Sequence, residues 1–250
     1  MSNNSNISYP RILPTGDRAL SVEFGDKIDE EINSRLMGFI KRMTTHKIEG
    51  IEEFVPSFRA VLIHYNPAII PYNKMVTLIN GYLDKDDHET VKEKRIVEVP
   101  VCYEGEYAPD INFVAEHASM TVEEVIKIHS SKSYLVYMLG FQPGFPYLGG
   151  LDERLVTPRL ENPRLKIDAG SVGIGGAQTG LYPMESPGGW QIIGRTPVKC
   201  FNPAREVSIP YRAGDYIRFV PVSYKEYEEL KKKDANGTYE FKVIVEGRNS

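Results

Sequence analysis

The chain has 250 residues, 41% of them hydrophobic and 26% charged, which is ordinary globular composition with enough apolar material for a sizeable core. A formal net charge of -4 gives no electrostatic drive toward nucleic acid or an anionic membrane, and no apolar run is long enough to span a bilayer. The two cysteines, Cys102 and Cys200, are far apart and lack CxxC spacing, so a disulfide framework or a zinc site is not expected. They read as small core residues in a reducing compartment. Met1 to Ser8 is rich in Ser and Asn, without the basic and apolar segments of a signal peptide. It is expected to be a short frayed tail on a cytoplasmic protein.

From Ala19 to Phe24 the residues alternate as a strand does, and Gly25-Asp26 ends it. Ile28, Ile32, Leu36, Phe39, Ile40 and Met43 then recur at helical spacing, with Glu30 and Glu31 in the first turn. Two short strands follow, Gly50 to Val55 and Arg59 to Tyr65, turned by Pro56-Ser57. Pro71 suits a first helical position, and Tyr72, Met75, Ile79, Tyr82 and Leu83 share one face of a second helix. A polar connection, Asp84 to Glu93, leads to a strand over Arg95 to Val101. Strand, helix, strand, strand, helix, strand is the ferredoxin-like split βαβ order. The expectation is an α+β protein whose first domain, residues 8–90, is a ferredoxin-like α/β unit, with the second domain over 91–247.

The second domain opens with helices over Asp110 to His117 and Val122 to His129. Thr121 and Glu124 stand at capping-box spacing before the second of them. Tyr134 to Leu139 reads as a buried strand. Beyond it, twelve of the 21 glycines fall between Gly140 and Gly194, and ten of the 17 prolines between Pro143 and Pro221. Helix is poorly tolerated under that punctuation. Short apolar runs sit between the breakers: Ser171 to Ile174, Gln191 to Ile193, Val198 to Phe201 and Tyr216 to Val220. Such a pattern argues for a β-barrel or sandwich. Ser223 and Glu226 cap a short helix ending near Lys233, and Asn236-Gly237 turns the chain into a last strand, Tyr239 to Val245.

Chemistry concentrates between Phe141 and Pro197, where Arg154, Arg159, Arg164, Arg195, Gln178, Tyr182 and the sole tryptophan, Trp190, share a glycine-rich stretch. Arg presents a planar fork of donors that matches a carboxylate or phosphate. Arg159 and Arg164 each follow a proline that stiffens the backbone before the side chain. The alternative is that these arginines are solvated and paired with Asp152, Glu153 and Glu161. Gly188-Gly189 lets backbone amides approach an anion closely, although glycines in a barrel also mark bulges and corners, and Trp190 either walls a pocket or plugs the barrel. No Walker A pattern, HExxH or GxSxG elbow is present, which disfavours P-loop nucleotide binding, zinc hydrolysis and a serine-hydrolase elbow. No metal ligands are expected.

Four ordered motifs carry a family resemblance along nearly the whole chain: GDRALSVEFG over 16–25, GFQPGFPYL over 140–148, AGSV through QTGLYP over 169–183, and SPGGW with GRTP over 186–197. In these the sequence resembles the allophanate hydrolase subunit 1 family, whose members include the 5-oxoprolinase B subunit and the sporulation kinase inhibitor KipI. Asp168 departs from the family, which has proline there. The resemblance implies an α/β domain followed by a cyclophilin-like β-barrel. It implies ATP-dependent opening of 5-oxoproline to L-glutamate, with Mg2+ accompanying ATP, in a complex with the 5-oxoprolinase A and C subunits, the latter being the subunit 2 type partner. In that chemistry phosphorylation of the poorly electrophilic lactam oxygen eases ring opening. Catalysis then needs a clamp for the substrate carboxylate and cations for the phosphoryl group. Arg159, Arg164 and Arg195 are the candidates, with Gln178, Tyr182, Gly188, Gly189, Trp190 and Phe145 as substrate-binding residues. Two other readings stay open. In one, a KipI-type module holds a proline-containing segment of a histidine kinase on Phe141, Phe145, Tyr147 and Trp190. In the other, the chain is a carboxyltransferase-like part of a urea carboxylase system.

Overall fold

The computed structural model describes residues 8–83 and 93–247. The expected frayed start over 1–7 and nearly all of the expected polar connection, 84–92, lie outside the described residues. The chain divides into two compact units, Met1–Lys92 and Glu93–Ser250.

The first unit is built from β1 (Arg11–Pro14), β2 (Ala19–Glu23), α1 (Glu30–Thr45), β3 (Ile51–Pro56), β4 (Ala60–Tyr65) and α2 (Tyr72–Leu83). Asp29 starts α1 by accepting from the backbone N–H of Glu31 and Ile32, at 2.9 and 3.2 Å. Its apolar face, with Leu36, Phe39 and Met43, joins Met75 and Ile79 of α2 over Leu20, Val22, Val61 and Ile63 of the sheet. The sheet order is β1-β2-β4-β3, every neighbour antiparallel.

That order corrects the ferredoxin-like expectation. The strand over Arg95 to Val101 does not complete this sheet, and β1, whose four residues carry no usable alternation, stands beside β2 instead. The pattern of the displaced strand explains its place. Ile96, Val97, Val99 and Val101 are all fully buried, so both of its faces are covered. A near-continuous apolar run is the mark of a central strand in a two-sided layer.

In the second unit that strand is β5 (Glu93–Val101). It is followed by α3 (Ile111–His117), α4 (Val122–Ser130), β6 (Ser133–Leu139), β7 (Pro146–Gly149), β8 (Arg164–Ile167), β9 (Ser171–Gly175), β10 (Gln178–Leu181), β11 (Ser186–Gly188), β12 (Gln191–Arg195), β13 (Tyr216–Pro221), α5 (Tyr224–Ala235) and β14 (Val243–Gly247). Three sheets result, in the orders β14-β5-β13-β6-β7, β10-β9-β12 and β11-β8. The two expected capping boxes are present, Thr121 with Glu124 and Ser223 with Glu226.

The expected closed barrel does not form among the described residues: the sheets meet through single bridges, such as Cys102 with Arg195, rather than a continuous ladder. Strands of three to five residues broken by glycine and proline are too short to carry a ladder around a full circumference. Val198 to Phe201 is also not a strand. Its backbone is used otherwise, the Lys199 N–H donating to Asp234 and the Lys199 carbonyl accepting from Arg205. The last strand begins at Val243 rather than Tyr239.

The core of this unit encloses a histidine. The Thr179 hydroxyl donates to the Gly173 carbonyl at 3.0 Å, so it accepts from Nε2–H of His129 at 2.8 Å. Nδ1 then accepts from the Tyr103 hydroxyl, also at 2.8 Å. His129 stacks on Phe219 with ring centres 4.8 Å apart. Burial holds it neutral, lowering its pKa from 6.5 to about 3. The unfolded chain therefore binds the extra proton between those values, and this residue's contribution is complete above pH 6.5 and declines as pH falls toward 3. Between pH 7 and pH 5 urea titrations should lose about 2 kcal/mol of stability through this residue. His129→Gln keeps a donor and an acceptor but cannot titrate, and should flatten the profile by that amount. An equally steep profile in the variant refutes the assignment.

Candidate functional site

Trp190 organises the glycine-rich half. Its ring lies against Gly175 of β9 and Gly180 of β10. A Cβ on Gly175 would stand 2.4 Å from the indole Cδ1 and Nε1, and one on Gly180 3.1 Å from Cζ3. The glycines form a flat bed because the ring occupies the space of their side chains. Phe145 and Tyr182 meet the indole edge-on, with centres 5.9 Å away in each case, and Ile167 and Ile192 complete the cluster. Burial raises the Tyr182 phenol to about 12, outweighing the opposing pull of the Arg159 and Arg164 charges. Gly188 is explained by the same packing, since a Cβ there would meet Ile167 at 2.7 Å and the Tyr182 hydroxyl at 2.8 Å. Gly189 accepts from the Leu160 N–H through its carbonyl.

Ile167 and Ile192 also floor an open cleft of about 270 Å³, whose rim carries Arg164, Arg195, Lys166, Asp168 and Ser171. The positions of its two arginines follow from backbone architecture. Asp110 precedes α3 but makes no side-chain cap. Its carboxylate instead accepts from Arg164 Nη2 and from the Ile192 N–H, each at 2.6 Å, while its own N–H donates to the Ile192 carbonyl. Arg164 Nη1 donates to the Trp190 carbonyl at 3.3 Å. Arg195 ends β12, where it exchanges two backbone bonds of 2.9 Å with Cys102. Its Nη2 donates to Asp168 at 2.6 Å, its guanidinium carbon lies 5.5 Å from the Tyr107 ring centre, and its Nε is buried with no hydrogen-bond partner. Lys166 pairs with Glu185 at 2.6 Å.

The expected site residues thus fall into two adjoining groups. Arg164 and Arg195 share the cleft. Arg159 is exposed and stands 6.0 Å from the Trp190 ring centre, outside the cleft lining. Phe145, Tyr182 and Trp190 form the packed layer behind the cleft, and Gln178 shares the strand face of Gly180, on the Trp190 side. Arg154 bears out the solvated alternative: it grips Asp152 with two bonds of 2.9 Å at the surface. The four rings named for a peptide groove do not make one, because Phe145 and Trp190 are buried and only Phe141 is largely exposed. Sequence reasoning missed Lys166 as part of the cleft lining, and Asp110 and Tyr107 as the partners that hold its two arginines. Pro109-Asp110 before an apolar run reads as an ordinary helix start, and nothing local distinguishes a carboxylate that reaches across to another sheet.

Since the bed leaves no room for a methyl group, Gly175→Ala should cost about 1–3 kcal/mol and displace the indole. The sole tryptophan makes this directly visible, as a lowered melting temperature with a shifted emission maximum. A variant with native melting and native emission contradicts the packing described.

Residues 10–211 match the family described as "Carboxyltransferase domain, subdomain C and D". The chain is 39% identical over 233 residues to the 5-oxoprolinase B subunit of Bacillus subtilis, covering 89% of this chain and 97% of that one. It is 40% identical over 207 residues to the 5-oxoprolinase B subunit of Escherichia coli O157:H7, covering 82% and 93%. Among solved structures, the urea amidolyase of K. lactis superposes with a TM-score of 0.75 at 24% identity, covering 94% of this chain and 16% of that one, a likeness of fold alone. With four fifths of its length matched and its motif resemblance borne out, the chain belongs to the carboxyltransferase subdomain C and D family.

Proposed function

We propose that this chain serves as the B-type subunit of an ATP-dependent 5-oxoprolinase, which opens 5-oxoproline to L-glutamate together with its A-type and C-type partners. The carrying observation is that its similarity to 5-oxoprolinase B subunits from two bacteria runs over nearly the whole of those proteins, 97% and 93%. The cleft suits the substrate. 5-Oxoproline is a small ring with one carboxylate and one lactam carbonyl. Arg164 and Arg195 supply forked donors for the carboxylate, and Ile167 and Ile192 offer an apolar floor to the ring methylenes.

ATP fits this cleft poorly. At about 270 Å³ it is smaller than the pockets that enclose drug-sized ligands, roughly 300–1,000 Å³. Among the described residues no group of three or more His, Cys, Asp or Glu side chains is placed to hold a metal ion. ATP and its Mg2+ are shared with the partner subunits in this reading, and the cleft of this chain contributes carboxylate recognition and positioning. No helix among the described residues is long and apolar enough to cross a membrane, in keeping with a cytoplasmic complex.

The test is turnover of 5-oxoproline by the three subunits reconstituted together. Omitting this chain should abolish ATP-dependent glutamate formation. Arg164→Ala and Arg195→Ala should each raise KM by roughly ten- to a hundredfold, the loss of one charged hydrogen bond. Arg159→Ala, which lies outside the cleft, should change it by less than about threefold. Full turnover without this chain, or wild-type KM in both cleft variants, rules the reading out. Biotin-dependent carboxyl transfer in the same assay would select the urea carboxylase alternative.

A further inference from the structure

The two cleft arginines differ in how their carboxylate partners are held. Asp110, the partner of Arg164, has a side chain only 12% exposed and is fixed by a second bond from the Ile192 N–H. Asp168, the partner of Arg195, is 44% exposed, and its other ionic neighbour, Lys166, stands 3.7 Å away. One carboxylate is built into the fold and the other stands nearly half exposed at the surface.

Arg195 has two anchors besides Asp168. Its backbone is bridged to Cys102 and its guanidinium rests over Tyr107. The cleft is also close to neutral, because Arg164, Arg195 and Lys166 face Asp110, Asp168 and Glu185 in three pairs of 2.6 Å each. An anionic guest therefore meets no surplus positive charge unless one internal carboxylate gives way. Asp168 is the member whose departure frees a preset guanidinium at the cleft wall.

We propose that Asp168 is a placeholder carboxylate, which occupies Arg195 in the empty cleft and is displaced by the carboxylate of the guest, so that its charge sets both affinity and selectivity. The inference rests on the reading of this cleft as the 5-oxoproline site. One ion pair replaces another in the exchange, so a monocarboxylate enters at little electrostatic cost. A guest with a second negative charge meets the displaced Asp168 nearby and is disfavoured. A neutral lactam gains nothing from Arg195. Asp168 is thus a specificity-determining residue.

Calorimetric titration of the full chain with 5-oxoproline, alone and with its partner subunits present, tests this. The uncharged lactam 2-pyrrolidinone is the control ligand. Asp168→Asn removes the charge and keeps the shape, and Asp168→Ser guards against misfolding of one variant. Both should bind 5-oxoproline about three- to fivefold more tightly than wild type, the scale of a partly exposed ion pair. The gain should fade at high salt, with 2-pyrrolidinone unaffected. Unchanged or weaker binding in both variants, while wild type binds and Arg195→Ala binds poorly, overturns the placeholder and leaves the site standing. Wild-type affinity in Arg195→Ala, or no 5-oxoproline binding to wild type and variants alike, removes the site and the placeholder together.

Discussion

A single carboxylate ties the functional half of the second unit together. Asp110 stands where α3 begins, a position at which an aspartate ordinarily caps its own helix. Here it reaches to β8 and β12 instead, accepting from Arg164 and from the Ile192 backbone. Those bonds hold the helical layer against the glycine-rich strands and fix the Arg164 fork at the cleft rim. A charge so thoroughly hydrogen-bonded tolerates partial burial, whereas either partner left alone is costly. The cleft is therefore a consequence of how two layers are joined.

Behind the cleft, one large ring fills the space that side chains of several strands fill elsewhere. Trp190 lies across Gly175 and Gly180, and Phe145 and Tyr182 close its edges. Interiors are packed at crystal-like density, so the bed transmits any displacement of the indole to its neighbours. Ile167 and Ile192 belong both to this layer and to the cleft floor. The aromatic layer accordingly backs the floor of the cleft, and burial keeps the Tyr182 phenol protonated within that layer.

Much of this is readable in the sequence alone. The helices announce themselves through 3.6-residue periodicity and capping residues, as at Thr121-Glu124 and Ser223-Glu226. Arg164, Arg195 and Trp190 stand out because loops rich in glycine rarely gather guanidinium and indole groups without reason. What escapes is non-local. β1, β7, β8, β10 and β11 have three or four residues each, too few for alternation to register. The partner of β5 is a parallel strand more than a hundred residues away, and no local pattern specifies which sheet a strand will join. Asp110 and Lys166 carry no local mark of their role either, because their partners come from other strands.

The charge balance of the cleft reconciles an acidic chain with the anion site proposed for it. Net charge describes the far field of a molecule, and at -4 that field does not draw anions in. Recognition at the cleft depends on geometry within a few ångströms, where Arg164 and Arg195 are already desolvated in part and held by backbone-anchored contacts. Unpaired, two such cations at one rim would repel each other and destabilise the strands that carry them. Pairing each with a carboxylate removes that penalty and leaves the forks preorganised. The fold can keep guanidinium groups poised at a cleft because it supplies them with partners of unequal exposure, one fixed at the start of α3 and one just past the end of β8.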